Sequence, residues 1–132
     1  ETIQARTVVI TDKIYQTRAR FVLQGGLFTI TGRMHAAVST FQGGKPAISL
    51  SYSTKFRGVI GDSLDQQVLV IEADQDALWS SGEIVDRVCE KVDGLWSDYA
   101  GLCDRIRNRV KELQQQVSST LDRIAADRPS QK

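Results

Sequence analysis

Residues 31–59 read TGRMHAAVSTFQGGKPAISLSYSTKFRGV and contain two strand-to-helix turns in succession. The apolar run from Leu27 ends at Thr31-Gly32. Beyond it Met34, Ala37, Val38 and Phe41 recur at the i, i+3, i+4, i+7 spacing of a helix with one apolar face. Gly43-Gly44 closes that helix. Ala47–Ser51, entered through Pro46, is a short buried-strand run, and Tyr52-Ser53-Thr54 supplies hydroxyls to cap a further helix starting near Lys55. Both turns therefore fall at the carboxyl ends of strands. In open α/β sheets, ligands lie outside those ends, where helix N-termini present free amides. Arg33, His35, Lys55 and Arg57 are all expected there.

Outward from this stretch, Thr7–Ile10 reads as a buried strand and Thr11-Asp12 as the N-cap of a helix with Ile14, Arg18, Phe21 and Val22 in spacing, ended by Gly25-Gly26. Leu27–Thr31 and Ala47–Ser51 follow as strands, and Val68–Ile71 as a fourth. Alternation of strands with helices implies parallel pairing and a Rossmann-like α/β class. Residues 58–67 read as a loop, with Asp62 and Asp65 as solvated charges. Ser80 and Glu83 have capping-box spacing ahead of a helix that turns Ile84, Val85, Val88, Cys89 and Val92 inward.

From Leu95 the pattern changes to a long amphipathic helix. Tyr99, Cys103, Ile106, Val110, Leu113, Val117, Leu121 and Ile124 form a narrow stripe suited either to a second helix or to a neighbouring lobe. The first option is a homo-oligomer, the second a monomer. The organisation expected is an α/β lobe over residues 1–94, a long C-terminal helix over 95–126 and a disordered tail over 127–132.

Net charge is only +1, yet no Asp or Glu stands between Asp12 and Asp62, while Lys13, Arg18, Arg20, Arg33, Lys45, Lys55 and Arg57 do. That interval should carry a positive potential and favour a small polyanion. Lys13, Arg18 and Arg20 read as a solvated helix face, and Lys45 as solvent-exposed. Without a basic run, aromatic interleaving or a binding motif, nucleic acid is not the expected partner. No apolar run approaches a membrane span and no signal peptide opens the chain, so a cytoplasmic protein with reduced Cys89 and Cys103 and no metal is expected. The chain opens at Glu1, just ahead of a strand, which reads as part of something longer.

The run Gly32-Arg33-Met34-His35-Ala36-Ala37, followed by Gly43-Gly44-Lys45-Pro46 and Tyr52-Ser53-Thr54-Lys55, resembles the C-terminal signature of the polysaccharide pyruvyl transferase family. In that family an Arg-x-His at a helix head is followed by a Gly-x-Pro strand and a Tyr-Ser-x-Lys turn. The matching residues are Arg33, His35, Gly44, Pro46, Tyr52, Ser53 and Lys55. The likeness extends more weakly from Thr7 to about Val92.

The resemblance implies the C-terminal lobe of a glycosyltransferase-B-like (GT-B-like) enzyme whose N-terminal lobe is its partner. It implies transfer of a pyruvyl group from phosphoenolpyruvate, a donor substrate and not a cofactor, to two hydroxyls of a sugar or glycan acceptor in bacterial exopolysaccharide or cell-wall polymer synthesis. Arg33, Met34, His35 and Lys55 would bind phosphoenolpyruvate. His35 would be the catalytic acid, base or phosphate donor, and Tyr52 and Ser53 would orient substrate. Taken singly, a histidine near a helix start is explained as well by capping or packing, and Arg33 by a carboxylate of the other lobe. Their joint occurrence at two neighbouring strand ends favours a site. Two other classes stay open: a sugar-nucleotide transferase or epimerase on the same scaffold, and a non-catalytic assembly module acting through the long helix.

Overall fold

A computed structural model describes residues 6–126. Its centre is a three-stranded parallel sheet in the order β1 (Thr29–Thr31), β2 (Ala47–Ser51), β3 (Val70–Glu72). Thr31 pairs with Ser49 and Ser51 with Glu72, so all three carboxyl ends share one edge. Helices flank the sheet: α1 (Gln16–Gly25) precedes β1, α2 (Met34–Gln42) joins β1 to β2, and α3 (Asp76–Ser80), α4 (Glu83–Ser97) and α5 (Tyr99–Ala126) follow β3. The class is mixed α/β with a long C-terminal helix, as the alternation of apolar runs implied.

Alternation along β2 explains how its two faces are covered. Thr29, Ala47, Ser49 and Ser51 share one face by register, and α2 seats Ala37 and Phe41 against the sheet there. Small strand residues let the helix come close. The buried hydroxyl of Thr40 donates to Thr29 Oγ1 at 2.8 Å and lies 3.0 Å from the Ala36 carbonyl, which satisfies it. Ile48, Leu50 and Ile71 project from the opposite face, which is left to α4 with Ile84, Val88, Val92 and Leu95. After α2 the chain reverses at Gly44, whose φ of +71° is one that side chains avoid. The Arg107 side chain also occupies the place a Cβ would take.

Several expectations are corrected. Thr7–Ile10 is not a strand: Val8, Val9 and Ile10 are exposed, and the sheet has three strands. A run of β-branched residues becomes a strand only with a neighbour to pair, and no edge of this sheet reaches it. The first helix starts at Gln16, behind Tyr15, and not at Asp12. It turns Ala19, Leu23 and Gln24 towards α2 and leaves Phe21 79% exposed. Thr29–Thr31 and Val70–Glu72 replace the longer second and fourth expected strands, Leu27–Thr31 and Val68–Ile71.

The expected loop at 58–67 is largely helical. A wide, π-type segment, Arg57–Ser63, continues the turn that starts at Lys55, followed by a 3-10 turn at Gln67–Leu69. Phe56, Ile60 and Leu64 fall on one buried face of it, and that burial organises the segment. At α4, Ser81 Oγ accepts from the Glu83 amide at 3.3 Å, while Ser80 bonds back within α3, so the Ser80–Glu83 capping box does not form. Ile84, Val88, Val92 and Leu95 make the inward stripe. Val85 and Cys89 lie outside it and are exposed, against the expectation.

The long helix divides by what covers it. It starts at Tyr99, after a break at Asp98, and not at Leu95. Cys103 and Ile106 are buried, and Leu102, Val110 and Leu113 pack partly on the core. Val117, Leu121 and Ile124 are 61%, 60% and 58% exposed. No described helix is long and apolar enough to cross a membrane. The tail expected at 127–132 lies outside the described residues.

Two measurements check this packing. Phe41→Ala should cost about 3–5 kcal/mol in denaturant unfolding, whereas Phe21→Ala should stay within about 0.5 kcal/mol. The second concerns Tyr99, whose hydroxyl donates to the Leu27 carbonyl at 2.5 Å. Burial, and then the Cys103 thiol beside it, pushes its pKa from 10.0 up to about 12. A raised folded-state value means stabilisation that is present in full below pH 10 and lost between pH 10 and about 12. The stability gap between wild type and Tyr99→Phe should therefore shrink across that window.

Candidate functional site

The shared carboxyl edge of the sheet carries both turns identified in the sequence. At the first, Arg33 caps α2 with an extended backbone (φ −107°, ψ 114°). Its amide donates to Thr31 Oγ1 at 2.9 Å, and its carbonyl accepts from the Ala36 and Ala37 amides at 3.0 and 3.2 Å. The helix thus starts under control of Thr31, with the Met34 and His35 amides in its first turn, where no preceding carbonyl of the helix can take them. Arg33 and His35 are exposed, one on each side of Met34, whose side chain packs partly against the core. Met34 stands at the same helix head, partly covered by the core.

At the second turn, the Ser53 carbonyl accepts from the Ser51 hydroxyl at 2.9 Å and from the Phe56 amide at 3.2 Å. Tyr52 is exposed and stands edge-on to Phe56, with ring centroids 5.4 Å apart. Lys55 is exposed at the first turn of its helix. Register sets the spacing: Thr31 lies level with Ser49, so Arg33 comes level with Ser51, and Tyr52, Ser53 and Lys55 lie further out.

The strand order decides what these groups can do together. β1-β2-β3 runs without reversal, so no switch point opens a crevice between neighbouring turns. The groove that does exist, of about 500 Å³, runs between α1 and α2. Arg33 and His35 line it, and Arg20 of α1 joins them. Tyr52, Ser53 and Lys55 do not. The expected single constellation is thus divided into a cationic groove with Arg20, Arg33 and His35 and a separate Tyr52–Lys55 turn one strand away. Arg20 had read as a solvated helix face. Only the packing of α1 on α2 reveals it, although it lies in the acid-free interval.

Among the described residues, the side chains of Arg20, Arg33, His35 and Lys55 have no hydrogen-bond or ion-pair partner. Arg57, expected beside them, is taken up by Glu72, the last residue of β3. Asp74 and Asp76 follow it, so the positive field fades towards that side. Asp62 and Asp65 line a different cleft of about 610 Å³ with Arg105, Arg109 and Glu112 of α5. Lys45, expected in solvent, is half-buried with its ammonium 5.9 Å from the centroid of the Tyr99 ring. No group of three acidic, cysteine or histidine residues gathers to hold a metal among the described residues.

Compared with protein-family models, curated proteins and solved structures, the chain matches none. Two guanidiniums, an imidazole and a helix N-terminus concentrate positive charge and hydrogen-bond donors around one groove. The paired Arg57 is not part of it. Arg57→Ala should alter stability by less than about 1 kcal/mol, as exposed ion pairs do, and leave phosphate affinity by titration unchanged.

Proposed function

We propose that this chain is the donor-binding lobe of a polysaccharide pyruvyl transferase with a GT-B-like arrangement, and that phosphoenolpyruvate binds at the head of α2. The observation that carries the reading is the convergence of Arg20, Arg33 and His35 on one groove without an anionic partner among the described residues. Phosphoenolpyruvate is compact and carries a phosphate and a carboxylate. Arg33 can grip one of them bidentately while Arg20 meets the other. The first amides of α2 and its dipole add to the same field. Charge-assisted hydrogen bonds contribute about 1.5–3 kcal/mol each, so two arginines suffice for useful affinity.

In the reaction, a proton is added to the enol methylene carbon, the adjacent carbon becomes electrophilic and a sugar hydroxyl attacks it. The second hydroxyl then displaces inorganic phosphate to close the ketal. His35 is the only histidine in the chain, and an imidazole can both deliver and accept a proton. Its place beside Arg33 serves proton delivery, hydroxyl activation or hydrogen-bond donation to the phosphate. Lys55, at the next strand end, would draw the departing phosphate by its field, while Tyr52 and Ser53 lie outside the groove and take no direct part in donor binding. The bacterial glycan context follows from the sequence resemblance alone.

Calorimetric titration of phosphoenolpyruvate tests the reading. Saturable binding is expected. Arg33→Ala and Arg20→Ala should each weaken it about ten- to a hundredfold. Lys55→Ala should weaken it less. Binding of a nucleotide sugar in place of phosphoenolpyruvate would instead assign the groove to a sugar-nucleotide transferase. Binding indifferent to Arg33→Ala would remove the groove from the account.

A further inference from the structure

We propose that the second half of α5 is a dimerisation helix. Two copies of this chain pair antiparallel about a two-fold axis at Val117, and each places Leu121 and Ile124 in a groove of the other. The inference is independent of the donor-site reading.

The groove lies where α2, the Arg57–Ser63 segment and α5 meet. It is about 360 Å³ in volume and lined mainly by Val38, Val59, Leu64, Val110, Leu113 and Val117. It opens where α5 leaves the core. Beyond that point Leu121 and Ile124 continue the same stripe, 60% and 58% exposed. One helix thus carries a half-filled groove at one end and uncovered aliphatic side chains at the other.

The spacing of the stripe selects the partner. Leu113 and Leu121 stand four residues either side of Val117, and Val110 and Ile124 stand seven. A pattern symmetric about one residue is what a two-fold axis requires, because an isologous interface presents the same patch on both sides. Antiparallel pairing sets Val117 on Val117, Leu113 on Leu121 and Val110 on Ile124. Parallel pairing would leave Leu121 and Ile124 beside their own copies, away from the groove.

Charge suits pairing with a second copy. Lys111 lies six residues before Val117 and Asp122 five after it, while Glu112 lies five before and Arg123 six after. By helical rotation Lys111 and Asp122 fall on one flank of the stripe, and Glu112 and Arg123 on the other. Antiparallel pairing therefore brings Lys111 of each copy level, within a residue, with Asp122 of the other, and Glu112 with Arg123. Parallel pairing turns opposite flanks together and sets Lys111 level with Glu112 and Asp122 with Arg123, so the direction is decided by the groove and not by charge. Gln114, Gln116, Ser118 and Thr120, nearest the stripe, are uncharged and set no repulsion against a second copy.

Sedimentation of the full chain should give twice 14.7 kDa, with dissociation on dilution. Val117→Asp places two carboxylates across the axis and should weaken pairing at least about a hundredfold, because the change counts on both sides. Val117 is exposed, so the variant should retain its circular dichroism. Orientation is read in a Cys89→Ser background, which removes the exposed native thiol. Val117→Cys should form a self-disulfide. Ile124→Cys should cross-link to Val110→Cys of a mixed partner and not to itself. A chain monomeric at all concentrations, a dimer indifferent to Val117→Asp, or an Ile124→Cys self-disulfide would each overturn the proposal; the first would assign the groove to another occupant.

Discussion

The fold depends on the close approach of α2 to β2. Ala47, Ser49 and Ser51 keep one face of the strand low, and Ala37 and Phe41 are buried against the sheet from above it. The Thr40–Thr29 hydrogen bond fixes α2 over β1 at the same time. A larger residue on this strand face would lift the helix and separate it from both strands. Because α2 also carries Arg33 at its cap and rests against α1, the same contact positions the cationic groove. Packing and candidate chemistry are therefore joined in one helix of nine residues.

What could be read from the sequence follows from how local each signal is. Ala47–Ser51 is a strand with the expected bounds, since a run of small and apolar residues between Pro46 and the hydroxyl-rich turn leaves little alternative. The core face of α2 follows its spacing for the same reason. Thr7–Ile10 had equal strand propensity but lacked a neighbour, and neighbours are a property of topology. The segment at 58–67 looked like a loop because of its glycines and aspartates, whereas burial of Phe56, Ile60 and Leu64 made it helical.

The site divides in the same way. Arg33 and His35 share a helix head, and their joint exposure follows from helical spacing alone. Lys55 seemed to join them because both turns end strands. Yet adjacent strand ends in an order without reversal do not enclose a common crevice. Arg20 could not be recognised because its relation to His35 crosses two elements. Charge counting identified the acid-free interval, but only the chain path shows that Glu72 returns to neutralise Arg57.

The 28 residues of α5 make a rod of about 42 Å. Tyr99 ties one end to Leu27, and the core holds it as far as Leu113. Beyond that the rod is a lever. A tilt of about 10° about Leu113 displaces Ile124 by about 3 Å, at 1.5 Å per residue. Small repacking beneath α2, which contacts α5, is thus magnified several-fold at the far end.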